Sequence, residues 1–162
     1  MVARLRPGTS SRALAHAGRS ILIKAPGSRV WRALSNAEEF GDWFRVALKG
    51  QSFVAGQRAR GPVTYPGYEH LVFEISVERI EPERLLSFRW HPAAIDAAVD
   101  YSKEPTTLVV FELEPAEGGT LLSVVESGFD ALPASRRQNA FRMSSGGWTQ
   151  QMNNVAEHVA GA

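Results

Sequence analysis

The stretch LVVFELEPAEGGTLLSVVESGF, Leu108 to Phe129, alternates apolar and polar residues on both sides of a Gly118-Gly119 turn signal. Folded back at PAEGG, it sets Leu113 against Leu122, Phe111 against Val124 and Val109 against Glu126. Apolar residues oppose apolar residues on one face, as an antiparallel hairpin with one buried side requires. Glu126 is the exception, a carboxylate on the buried face. Upstream, a turn at EPER (Glu81–Arg84) places Val77 opposite Phe88 and Ile75 opposite Trp90 in the same way. From Arg45 to about Ser127 the pattern keeps period two, with a further turn signal at Pro66-Gly67 and no helical stretch between strands. Tight turns between neighbouring strands predict an antiparallel meander. The segment His91 to Thr107 lacks a strand pattern, is too long for a tight turn and is expected to form a mobile loop.

Helices flank this sheet. SILIKA alternates Ile21 and Ile23 on one face, a short first strand. Pro26-Gly27-Ser28 then opens a helix in which Val30, Trp31 and Leu34 share a side. Asn36 followed by Glu39 forms a capping pair for a second short helix, NAEEFGDWF. After Pro133 a long helix is predicted to about Ala160, with Phe141, Trp148, Met152, Val155 and Val159 on one face and small Ser145 in the same stripe. Gly146 and Gly147 lie inside it, where glycine costs roughly 0.5–1 kcal/mol relative to alanine. Either the backbone there approaches the sheet, or volume is left open in a cleft, or the glycines break the helix in two. A bent, cleft-covering helix is the expectation. Trp31 and Trp43 are assigned to the core.

Composition narrows the function classes. The chain has 162 residues, 44% hydrophobic and 22% charged, as expected of one soluble globular domain. Lys and Arg number 18 and Asp and Glu 17. Arg4, Arg6, Arg12 and Arg19 lie in an acid-free opening stretch, so the remaining body is mildly acidic and offers no basic face for nucleic acid. No apolar run approaches the ~20 residues of a membrane span. Cysteine is absent, which excludes disulfides, thiol nucleophiles and Cys-ligated zinc and suits a reducing, cytoplasmic location. Residues 1–18, Arg- and Ser-rich without an apolar h-region, are expected to be a disordered or targeting-like tail, followed by a single domain over 19–162. His16, His70, His91 and His158 have no ligand spacing, and no phosphate, dinucleotide or serine-nucleophile motif occurs, so neither metal nor cofactor is expected.

Four stretches carry a resemblance: KAPGSRVWRALS with Trp43-Phe44, VERIEPERLLSFRW, the Leu108–Phe129 hairpin, and the late Gly-Trp with Met152 and Val155 behind it. Together they resemble the START-like (SRPBCC) superfamily over roughly residues 20 to 160, closest to proteins similar to the activator of heat-shock-protein-90 ATPase. The resemblance implies an α+β helix-grip (START/Bet v-like) fold, a curved antiparallel sheet gripping a long C-terminal helix over a cavity. It also implies hydrophobic or amphipathic small-molecule partners.

The cavity candidates are Phe73, Phe88, Trp90, Tyr101, Phe111, Glu126, Ser145, Trp148 and Met152. An enclosed empty pocket of ~300 Å³ would extrapolate to roughly 7 kcal/mol of lost stability. Such a pocket must therefore be filled by ligand or water, or closed by the chain's own rings. Glu126 is the candidate catalytic group: a carboxylate against an apolar cleft is suited to moving a proton. Its bland counterpart is a strand-end carboxylate, solvated or paired with Arg142. Binding without covalent chemistry is the first expectation. A cyclase, hydratase or isomerase using Glu126 is the second, and a co-chaperone-like module the third.

Overall fold

The computed structural model describes residues 16–96 and 98–161. The expectation for the tail falls mostly on the first fifteen residues, outside the described ones. Strand β1 (His16–Ile23) leads into helices α1 (Gly27–Ser35) and α2 (Ala37–Phe44). Then come β2 (Arg58–Pro62), β3 (Val72–Glu81), β4 (Leu85–Trp90), β5 (Thr107–Ala116) and β6 (Gly119–Ser127). Helix α3 (Ala134–Gly161) ends the description. The strands form one curved, unclosed antiparallel sheet in the order β1-β6-β5-β4-β3-β2. The architecture is α+β and helix-grip-like. β1 takes in His16 to Gly18, residues that composition had assigned to the tail, because they pair with the end of β6, Ala17 opposite Glu126.

The second hairpin has the expected register: Leu113 meets Leu122, Phe111 meets Val124 and Val109 meets Glu126. In the first, Val77 meets Phe88, and a bulge between Val77 and Arg79 shifts the pairing toward the turn. That ladder begins at Ser76 and Arg89, so the expected Ile75–Trp90 pair is not part of it; Ile75 pairs instead with Ala59 of β2. The inward side chains of both hairpins, Val77, Phe88, Phe111, Leu122 and Val124 among them, are buried. Val30 and Leu34 of α1, Phe40 and Trp43 of α2, and Trp148, Met152, Val155 and Val159 of α3 complete the core. Trp43 donates its indole N–H to the Ala33 carbonyl at 2.8 Å, so its polar atom is satisfied in the interior. Asn36 caps α2, its Oδ1 accepting the Glu39 N–H at 2.9 Å.

α3 runs unbroken through Gly146 and Gly147, so the two-helix alternative does not apply. Nor do these glycines allow a close backbone approach. A β-carbon built on either would meet nothing within 4 Å. Gly41 is the opposite case, since a β-carbon there would collide with the Val46 carbonyl oxygen in the tight turn that ends α2.

The segment between β4 and β5 contains a short 3₁₀ turn at Tyr101–Lys103 and is fastened to the first turns of α3 by one side chain. The Arg136 guanidinium donates to Glu104 Oε1 at 2.8 Å and to the carbonyls of Pro92 (3.0 Å) and Ala93 (3.3 Å), and it lies 4.6 Å from the Tyr101 ring centre. Thr107, read from sequence as the end of the loop, is the first residue of β5 and pairs with Trp90.

These two glycine environments predict opposite substitution effects. In chemical denaturation, Gly146→Ala is expected to raise stability by about 0.5–1 kcal/mol. Gly41→Ala is expected to lower it by about 1–3 kcal/mol, because backbone rather than a flexible side chain must yield.

Candidate functional site

Three strands and one helix converge on Glu126. The register that sets Glu126 beside Val109 also turns Thr107, two residues earlier on β5, to the same inner face. Trp90, the last residue of β4, lies opposite Thr107. Trp148 comes from the middle of α3. Glu126 is fully buried. Its Oε1 accepts the Trp148 indole N–H at 2.8 Å, and its Oε2 accepts the Trp90 indole N–H at 2.8 Å and the Thr107 hydroxyl at 2.5 Å. Buried polar groups are tolerated when hydrogen-bonded, and a carboxylate with several donors is the strong form of that arrangement. Held by one acceptor, the two indoles stack at 5.8 Å between ring centres and 27° between planes. Their N–H groups are committed inward, so the faces left to the outside are carbon.

An open-sided recess of about 410 Å³ lies beside this pair. α3 packs along β1, and on the side away from β1 the sheet and helix part. The inner wall is aromatic: Phe44, Phe73, Trp90 and Trp148. Phe44 touches all three of the others, with ring centres 5.3–6.1 Å away. The connection between β2 and β3 forms a second wall and Pro92–Ile95 a third, while Met143, Ser144, Gly147, Gln150, Gln151 and Asn154 of α3 form the roof. Of the nine exposed large apolar side chains among the described residues, five, Tyr65, Tyr68, Val72, Ile95 and Met143, sit on its rim. Apolar exposure concentrated around a concavity marks a binding surface rather than scattered surface chemistry.

Of the residues proposed from sequence, Phe73, Trp90 and Trp148 line the recess. Phe88, Phe111 and Met152 lie behind that wall in the core. Glu126 lies behind it too, screened by the rings it holds. Tyr101 stacks under Arg136, its hydroxyl accepting the Asp96 N–H at 3.2 Å, and Ser145 is half-buried beside Ser144. Gly147 lines the roof, so of the reasons offered for the glycine pair, open volume is the one its position fits. Sequence reasoning missed Thr107, which extending the β5 alternation back by one step would have found. It also missed Phe44, read as part of the second short helix and of the family resemblance, and Asn154.

A second polar cluster lies away from the recess. His158, near the end of α3, approaches Glu39 of α2 at 2.9 Å, and Arg29 and Arg32 of α1 reach the same carboxylate at 2.5 and 3.1 Å. Burial tends to raise the Glu39 carboxyl, but hydrogen bonds from His158, Arg29 and Arg32 outweigh it and hold the group below the ordinary 4.5. Among the described residues no three His, Asp or Glu side chains gather to hold a metal ion. No helix among them is long and apolar enough to cross a membrane.

Both carboxylates make predictions. In Glu126→Gln the new amide NH₂ must face an indole N–H in either orientation, so stability is expected to fall by about 1–3 kcal/mol. Urea titration with the tryptophan emission maximum as a second readout checks it. For Glu39 the folded-state carboxyl is depressed, so its contribution is complete above the ordinary value of 4.5 and is lost as pH falls through the lower folded value. Denaturation midpoints measured from pH 6 to about pH 3 are expected to fall less steeply in Glu39→Gln than in the unaltered chain.

Comparisons with known proteins agree with this architecture. A family model described as activator of Hsp90 ATPase homolog 1-like protein matches residues 24–160. Protein MLL2253 from Mesorhizobium loti has a similar fold, with a TM-score of 0.68 at 23% identity over 90% of this chain and 96% of that one. Protein NE0264 from Nitrosomonas europaea gives 0.67 at 18% identity, covering 91% and 96%. DynU16, a putative protein in the dynemicin biosynthetic locus, gives 0.68 at 22% identity over 90% of this chain but only 47% of its own length. A search of curated proteins found no match.

Proposed function

The chain belongs to the activator of Hsp90 ATPase homolog 1-like family, and from that premise we propose that it binds a hydrophobic or amphipathic small molecule in the recess between sheet and α3, without covalent catalysis. The observation that carries this is the recess itself: about 410 Å³, walled by Phe44, Phe73, Trp90 and Trp148 and rimmed by exposed apolar side chains. Open aromatic concavities of this size are where small molecules bind. In this proposal Phe73, Trp90 and Trp148 contact the ligand. Phe88, Phe111 and Met152 support them from behind, Tyr101 braces the neighbouring segment, and Ser145 backs the roof.

Catalysis by Glu126 is the weaker proposal. A general acid or base must come within about 2.6–3.2 Å of the proton it moves, and this carboxylate lies behind the ring wall with donors on both oxygens. No feature of the recess favours a chaperone-directed role. A cytoplasmic location goes with the proposal, supported by the cysteine-free chain.

Native mass spectrometry of freshly purified protein is expected to show a co-purified apolar mass or uptake of an added hydrophobic dye. Gly147→Phe is expected to abolish both. Because a side chain at Gly147 starts in open space and leaves a poor helix former behind, this variant should melt no lower than the unaltered chain. A protein that carries nothing, and takes up dye no differently from Gly147→Phe, would refute the proposal.

A further inference from the structure

Resting on the recess as a ligand site, we infer that its ligand is an aromatic or polycyclic molecule bearing an anionic group, and that Arg45 receives that group. Arg45 is the one permanently charged side chain in the lining, and the lining contains no Asp or Glu. Among the described residues eight other arginines, Arg29, Arg89 and Arg136 among them, lie within ion-pair reach of a carboxylate; Arg19, Arg137 and Arg142 do not, but none of these three lines the recess. Among the described residues Arg45 has no such partner, and its guanidinium lies 5.8 Å from the centre of the Tyr65 ring at the rim. The other polar side chains of the lining are neutral hydroxyls (Tyr65, Tyr68, Ser144) or are engaged with one another and with the backbone. Gln150 donates to Asn154, Asn154 to Gln151 and Gln151 to the Phe44 carbonyl, at 2.9, 3.0 and 3.5 Å. His91 Nε2 is taken by the Glu104 carbonyl at 3.1 Å, and both indole N–H groups by Glu126. The guanidinium is the cation left to meet an incoming anion.

The backbone supports the same conclusion. Arg45 caps α2 in the left-handed region, φ 71° and ψ 53°, a position that favours glycine. Its N–H bonds to the Gly41 carbonyl and its own carbonyl accepts from Thr64, each at 2.9 Å, so the residue is held on both sides. Of the three non-glycine residues with positive φ among the described residues, Arg45 and Ala93 both line the recess, and Glu83 sits in the β3–β4 turn. Strained backbone gathers at binding sites where the surroundings hold it. An arginine kept where glycine fits better, in an acid-free recess with an aromatic inner wall, supplies that site with a positive end. The flat ring walls select a flat body.

The test pairs two dyes that share one aromatic body, 8-anilinonaphthalene-1-sulfonate and neutral N-phenyl-1-naphthylamine. Each is titrated into the unaltered chain, Arg45→Gln, Arg45→Gly and Gly147→Phe. Removing the guanidinium is expected to weaken the sulfonate about five- to tenfold and to leave the neutral dye unchanged. The sulfonate alone should weaken with added salt. Arg45→Gly, relieved of its backbone strain, is expected to melt no lower than the unaltered chain, which separates lost affinity from lost folding. If both dyes bind in a manner that Gly147→Phe abolishes, yet the Arg45 variants shift neither or shift both equally, the anion inference is overturned and the recess stands. If Gly147→Phe leaves both dyes unaffected, the binding site itself is refuted.

Discussion

One buried carboxylate joins the two halves of this fold. Glu126 on β6 takes hydrogen bonds from β4, from β5 and from the middle of α3, so sheet and helix meet at a single acceptor. An apolar side chain of similar size could contribute comparable stability, since buried polar networks are weak evidence for stability in themselves. What an apolar residue could not do is orient two indoles. Only an acceptor with two oxygens fixes both N–H vectors, and with them the direction in which the ring faces point. The polarity at the centre of the molecule thus makes the neighbouring surface more apolar, because it removes the indole donors from it.

Core and recess are therefore adjacent but physically different. Phe88, Phe111 and Met152 pack a closed interior behind the two tryptophans, and the space in front of them opens to one side. The stability penalty that applies to an enclosed void does not apply to an open one, which water or a guest occupies. α3 is tethered near both ends, by Arg136 to the connection between β4 and β5 and by His158 to Glu39 of α2.

Much of this was legible in the sequence because strand period and turn position constrain each other. Leu113 opposite Leu122 and Glu126 on the buried face follow from alternation plus one turn, with no knowledge of the rest of the chain. The cap at Asn36 and the apolar stripe of α3 are equally local. What could not be seen depends on three-dimensional closure. The pairing of His16–Gly18 with β6 brings together strands far apart in the chain, and nothing near those residues announces it. Thr107 was hidden because the segment before it has no pattern of its own. The glycine pair was noticed for its cost, but only the structure shows open space beside both residues, and only Gly147 faces the recess. Arg45 drew no notice because a backbone angle, not a residue type, makes it unusual.

The Arg136 strap makes the mouth of the recess asymmetric. It grips the carbonyls of Pro92 and Ala93 together with Glu104, so that side of the opening behaves as a fixed jamb attached to α3. The facing side, the connection that carries Tyr65 and Tyr68, is joined at its base to the end of α2, Thr64 to Arg45 and Val63 beside Val46, and beyond that, among the described residues, its tip bonds only within itself, Tyr68 to Tyr65 and Leu71 to Tyr68. Widening the entrance at that tyrosine-bearing tip would break fewer bonds than widening it at the jamb. Traffic in and out of the recess would then be controlled by a segment that contributes little to the core, leaving passage and folding under separate control.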